Sequence, residues 1–154
     1  MKKHIITLAT FLLLTHFAWG GIEFRDASFE PIEGYSEITH KIGMEEKKVY
    51  ISPKALLDST ALEEVYVAPS GTLTDHRGNT ETLYGVAIIL TDEGAEKMKE
   101  ITKDRISKPL AIIVDGEILS LPVVRAKIGK RSTITGPGTK EEAEAMKDRI
   151  ISSR

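Results

Sequence analysis

Leu110-Ala111-Ile112-Ile113-Val114-Asp115-Gly116-Glu117-Ile118-Leu119-Ser120-Leu121 decides how this chain folds. Five apolar residues are too few for a helix, and turn signals bound them, so residues 110–114 read as a strand buried at a sheet centre. Asp115-Gly116 follows at once. An Asp-Gly pair between apolar segments marks a two-residue hairpin turn, because both central residues need positive φ and Gly adopts it without steric cost. Residues 117–121 therefore fold back on 110–114. Upstream, Val86-Ala87-Ile88-Ile89-Leu90 is a second run of the same kind. Between the runs, Thr91 is placed to cap a helix with Asp92 and Glu93 in its first turn. Ala95, Met98, Ile101, Thr102 and Arg105 continue at helical spacing as one buried stripe, with Met98 read as core filler. Pro109 stops that helix. The product is a β-α-β-β core.

Downstream, Pro122 interrupts a strand-like run, so the strand is either an edge there or bulged. Ser132-Thr133-Ile134-Thr135 predicts a last short strand and Gly136-Pro137-Gly138 a turn. Thr139 with Glu142 forms a capping box, opening a helix whose apolar face is Ala143, Met146, Ile150 and Ile151. The expected fold class is α+β: a mixed or antiparallel sheet with two main helices packed on one face, its β-α-β-β-β-α core preceded by short strands.

The preceding strands are less regular. Ile22-Glu23-Phe24-Arg25-Asp26-Ala27 alternates with a period of two. Residues 30–48 show no sustained period and read as a loop arm. Val49-Tyr50-Ile51 is a short strand, Ser52-Pro53 predicts a brief helix over 54–57, and residues 64–68 form another strand. Turn clusters at 69–71 and 75–79 enclose an excursion that is an irregular loop or a small hairpin.

The 154-residue chain is sized for one domain with a real core. Its first twenty residues stand apart. Lys2 and Lys3, an apolar stretch over 5–17 and Ala18-Trp19-Gly20 read as a secretory signal peptide cleaved near Gly20. The expected organisation is a signal peptide at 1–20, an N-terminal strand and loop arm at 21–47, and the main domain at 48–154. No later stretch is long and apolar enough to span a bilayer. Without Lys2 and Lys3, 19 basic and 23 acidic residues give a net charge of −4. That balance carries no footprint for nucleic acid. The chain has no Cys, which excludes thiolate chemistry, and an exported chain without disulfides relies on packing.

Catalytic patterns are missing. His40 and His76 both read as solvated loop residues without metal-ligand spacing. His76 beside Asp75 is the weakest of three functional readings, a hydrolase. Gly129-Lys130-Arg131-Ser132 ends like a phosphate loop, but Val124 stands where the earlier glycine belongs. The basic cluster of Arg125, Lys127, Lys130 and Arg131 reads as a solvated hairpin end. The residues point to a non-enzyme with no metal and no cofactor.

The succession 85–95, then 106–116, then Ile118-Leu119-Ser120-Leu121-Pro122-Val123-Val124, then Ile134-Thr135-Gly136 and Glu141-Glu142-Ala143 resembles the head subdomain of the first periplasmic domain of SecD and SecDF. Ile22-Glu23-Phe24-Arg25 is similar to the Leu-Glu-Phe-Arg strand of that family. The resemblance implies a role in protein export through contact with emerging unfolded polypeptide, in the periplasm or outside the cell. The family's transmembrane helices are absent from this sequence, so its proton-coupled activity does not carry over. An edge strand offering Leu119, Leu121, Pro122, Val123 and Arg125 is the expected polypeptide-binding site, by strand addition on the side away from the Pro. The competing reading of these residues is ordinary core and edge protection. A partner among envelope proteins or the translocation machinery is expected; the alternative is an accessory docking subunit of an unrelated envelope complex.

Overall fold

A computed structural model describes residues 21–136 and 138–152. The predicted signal peptide and Pro137 lie outside the described residues. The chain order is β1 (Ile22–Ser28), β2 (Ser36–Ile42), β3 (Glu45–Asp58), a 3₁₀ turn (Ser59–Ala61), β4 (Leu62–Thr74), β5 (Thr80–Leu90), α1 (Asp92–Lys103), β6 (Leu110–Val114), β7 (Glu117–Ser120), β8 (Arg131–Ile134) and α2 (Lys140–Ser152). The fold is α+β, and the β5-α1-β6-β7-β8-α2 succession is the expected one.

The strands divide into two sheets. One has the order β2-β3-β1-β6-β7 and the other β4-β5-β8. Among the described residues every strand pairing is antiparallel. The two apolar runs that flank α1 thus sit in different sheets and meet through their side chains. Ile22, Phe24, Leu110, Ile112 and Val114 of the first sheet join Val86, Ile88 and Leu90 of the second, with Ala95 and Met98 of α1 and Ala143 and Ile150 of α2, in one main core. The first sheet is apolar on its other face too, where Ala27, Val49, Ile51, Ala111 and Ile113 are buried with Ile38, Ile118 and Leu121 packed against them. This two-sided burial is why β6 reads as an unbroken apolar run.

Local signals are used as the sequence predicts. Asp115 and Gly116 have φ of 52° and 79°, the left-handed pair that a tight β6–β7 hairpin requires. Thr91 Oγ1 accepts the Gly94 N–H at 3.0 Å. Thr139 Oγ1 accepts the Glu142 N–H at 3.2 Å while Glu142 Oε2 accepts the Thr139 N–H at 3.0 Å, a reciprocal capping box.

Two expectations are corrected, and one left open between a loop and a hairpin is decided for the hairpin. Residues 30–48 are not a loop arm: β2 and β3 form a hairpin turned at Gly43, whose φ is 65°. Along β2 only Ile38, His40 and Ile42 are half-buried, and apolar residues this sparse leave the period of two hard to see. Residues 54–57 are not helical. The Ser52 hydroxyl accepts the Lys54 N–H at 3.1 Å, and β3 runs on past Pro53 with a register shift between Ala55 and Ile51. A bulge accommodates a Pro inside a sheet. The 69–79 excursion is the outer half of a long β4–β5 ribbon, with Thr72 opposite Thr82 and Thr74 opposite Thr80.

Candidate polypeptide-binding edge

β7 is the outer strand of the five-stranded sheet, and the chain beyond it goes on pairing. Leu110 N–H donates to the Pro122 carbonyl at 2.9 Å, Val124 N–H to the Lys108 carbonyl at 2.9 Å, and Ser107 N–H to the Val124 carbonyl at 2.8 Å. Pro109 and Val123 face each other between these bonds. In an antiparallel pair the N–H and C=O of one residue point to the same side, and the side alternates along the strand. Pro122 and Val124 therefore turn their backbone groups inward, and Leu121 and Val123 turn theirs toward the open edge. The donor that Pro122 lacks is missing on the paired side.

Side chains follow the same geometry. A register shift lets Ile118 oppose Ile113 while Ser120 opposes Ile112, so β7 carries one extra residue. The bulge sends Leu119 into the main core and leaves Ile118 and Leu121 on the other face of the sheet. Val124 is buried in the main core, and Val123 before it is 39% exposed. The apolar stripe along the edge is thus Ile118, Leu121 and Val123. The sequence-predicted stripe of Leu119, Leu121 and Val123 assumed an unbroken period of two, which a bulge shifts by one. Pro122 and Arg125 are exposed beside it.

The stripe borders a shallow trough of about 160 Å³ that crosses the sheet, lined by Ile38, Ile51, Ile113 and Ile118 with Arg25, Ser36, Ser52 and Gly116. Arg25 lies over this face with its guanidinium 2.6 Å from the Glu23 carboxylate. Such a pair satisfies both charges and leaves the trough mostly apolar. At the turn end of the edge, Glu117 meets Arg149 of α2 at 3.0 Å.

The other candidates have structural employment. Lys130 pairs with Asp92 at 2.7 Å and with Glu63 at 3.0 Å, joining β4 to α1. The Asp75 carboxylate accepts the Arg77 and Asn79 backbone N–H groups and the Asn79 side-chain amide, the last being the main reason its acidity is raised above the usual range. It therefore holds the ribbon turn and leaves His76 without a positioned acid beside it. His40 lies on β2 opposite Lys47. Among the described residues no group of three His, Cys, Asp or Glu could hold a metal ion.

The model of the SecDF P1 head subdomain matches residues 36–150. The chain belongs to the SecDF P1 head family. It is 46% identical over 57 residues to the protein translocase subunit SecD of Aquifex aeolicus, covering 37% of this chain and 11% of that protein. It is 42% identical over 62 residues to the protein translocase subunit SecDF of Thermus thermophilus, covering 40% of this chain and 8% of the relative. The chain thus covers only a small part of these relatives' length. A crystal structure of SecDF in a super-membrane-facing form superposes with a TM-score of 0.58 at 26% identity, over 86% of this chain and 18% of that one. Among the described residues of this P1 head, no helix is long and apolar enough to cross a membrane.

Proposed function

We propose that this P1 head serves protein export as a periplasmic module that contacts unfolded polypeptide by adding it as a strand to the β7 edge. The observation that carries the reading is the bond from Leu110 N–H to the Pro122 carbonyl, which turns the Val123 amide to the open side. Main-chain hydrogen bonds along an open edge supply affinity without demanding one sequence. A module that meets many exported chains needs that tolerance. Ile118, Leu121 and Val123 add apolar contact for alternate side chains of the guest. Membership of the SecDF P1 head family supports the export setting. No step in this reading makes or breaks a covalent bond.

Val123→Pro tests it. The substitution removes an outward donor and leaves the Leu110, Lys108 and Val124 bonds in place. Crosslinking of the protein to an unfolded exported polypeptide is expected to weaken at least about fivefold, the worth of one or two lost hydrogen bonds, with the melting temperature little changed. Equal crosslinking by the variant and the wild type would exclude the edge as the contact.

A further inference from the structure

We infer that the same edge pairs with its own copy, forming an antiparallel two-fold dimer centred on Pro122. The inference rests on the edge geometry and goes beyond the polypeptide reading. The backbone groups of Leu121 and Val123 point outward on either side of Pro122, whose own carbonyl is bonded inward to Leu110. An isologous interface requires that residue i meet j and j meet i. With the axis at Pro122, Leu121 of each copy meets Val123 of the other in a hydrogen-bonded pair. The two Pro122 residues then meet in a non-hydrogen-bonded pair, where no N–H is needed. Because the donor that Pro122 lacks faces inward, its ring costs this outer ladder no bond.

Charge selects the same arrangement. Exposed Glu117 stands at one end of the edge, and exposed Arg125 and Lys127 stand at the other. Antiparallel pairing brings Glu117 of one copy alongside Arg125 and Lys127 of the second copy, at both ends of the interface. Parallel pairing would set like charges together, which suppresses that mode. Glu117 also meets Arg149 of its own α2 at 3.0 Å, and a carboxylate of 76% exposure retains acceptor capacity for a second cation. Proline usually blunts an edge against such pairing; here its missing donor faces the paired side. Leu121 and the 39% exposed Val123 meet across the axis and extend the apolar stripe from one copy to the next.

The chain has no Cys, so one introduced thiol reports only contact between copies. Antiparallel non-hydrogen-bonded partners lie about 4.5 Å apart between Cα atoms, within the range that a disulfide spans. Pro122→Cys is expected to form a covalent dimer at least about tenfold faster under mild oxidation than Leu73→Cys on the exposed ribbon, because pairing raises the local thiol concentration. Sedimentation of the cysteine-free wild type is expected to show a monomer–dimer equilibrium in the micromolar range, and Val123→Pro is expected to sediment as a monomer throughout. Crosslinking no faster at 122 than at 73, or a Val123→Pro variant that dimerises like the wild type, would overturn the inference. A wild type that stays monomeric while still crosslinking unfolded polypeptide through the edge would end the dimer and leave the export reading standing.

Discussion

Thr102 is a residue whose stripe position was legible and whose task was not. Its place after Ala95 and Met98 predicts burial, and its side chain is fully buried. The hydroxyl donates to the Met98 carbonyl at 2.7 Å and accepts the Ile128 N–H at 2.9 Å. The second bond fixes the middle of the basic cluster against the last turn of α1, across 26 residues of sequence. Thr102→Val keeps the volume and orphans the Ile128 N–H. It is expected to cost about 1–3 kcal/mol of unfolding free energy, the penalty for an unpaired buried donor. Thr102→Ser, which keeps both bonds, should lose less in the same urea titration. Helical spacing carries no information on which distant amide a hydroxyl will meet.

At the scale of elements, the caps of both helices held because their partners lie within a few residues. Thr91 at the start of α1 and the Thr139–Glu142 box at the start of α2 are read directly from the sequence, because a cap joins a side chain to an amide three positions on. The Glu142 carboxylate accepts N–H groups from Thr139 and Gly138, and these bonds, Thr139 first, hold its pKa below the ordinary range. A carboxyl whose pKa is lower in the folded state stabilises the fold above its unfolded pKa and loses that contribution as pH falls through the folded one. Glu142→Gln retains an acceptor but not the charge. The wild type is expected to melt higher than this variant at neutral pH, with the gap closing as pH falls below about 4. Thermal melts across that range check it. The β2–β3 hairpin was missed for the opposite reason. Its few apolar residues gain their half-buried surroundings from neighbouring strands, and the bulge at Pro53 imitates a helix start until its partner strand β1 is known.

Across the whole molecule, one cluster ties three separate segments together. Asp26 of β1 pairs with Arg105 from the connection after α1 and accepts the Tyr35 hydroxyl at 2.7 Å from the connection before β2. Burial pulls the Arg105 pKa down from its ordinary value; the guanidinium stays charged, so its pairing matters. Asp26→Ala leaves a mostly buried guanidinium and a phenol without that partner. The expected loss is about 1–3 kcal/mol, and amide exchange should quicken most in β2 and the turn before it, which Tyr35 anchors. Uniform exchange across the chain in that variant would show that the cluster does not hold the β2 hairpin in place.

The sequence by itself determined the two helices and their caps, the Asp115-Gly116 hairpin and the buried runs, because each rests on bonds or periods within a few residues; the family resemblance rested instead on the order of sequence blocks along the chain. It also marked the neighbourhood of Pro122 as an edge or a bulge. Only the tertiary structure decided that the strands divide into two sheets and that a bulge turns Leu119 inward and leaves Ile118 in the edge stripe. The side on which Pro122 lacks its donor was decided there as well. That side depends on which neighbour the Pro122 carbonyl bonds, and hydrogen-bond register between strands is a property of the pair, written in neither strand alone.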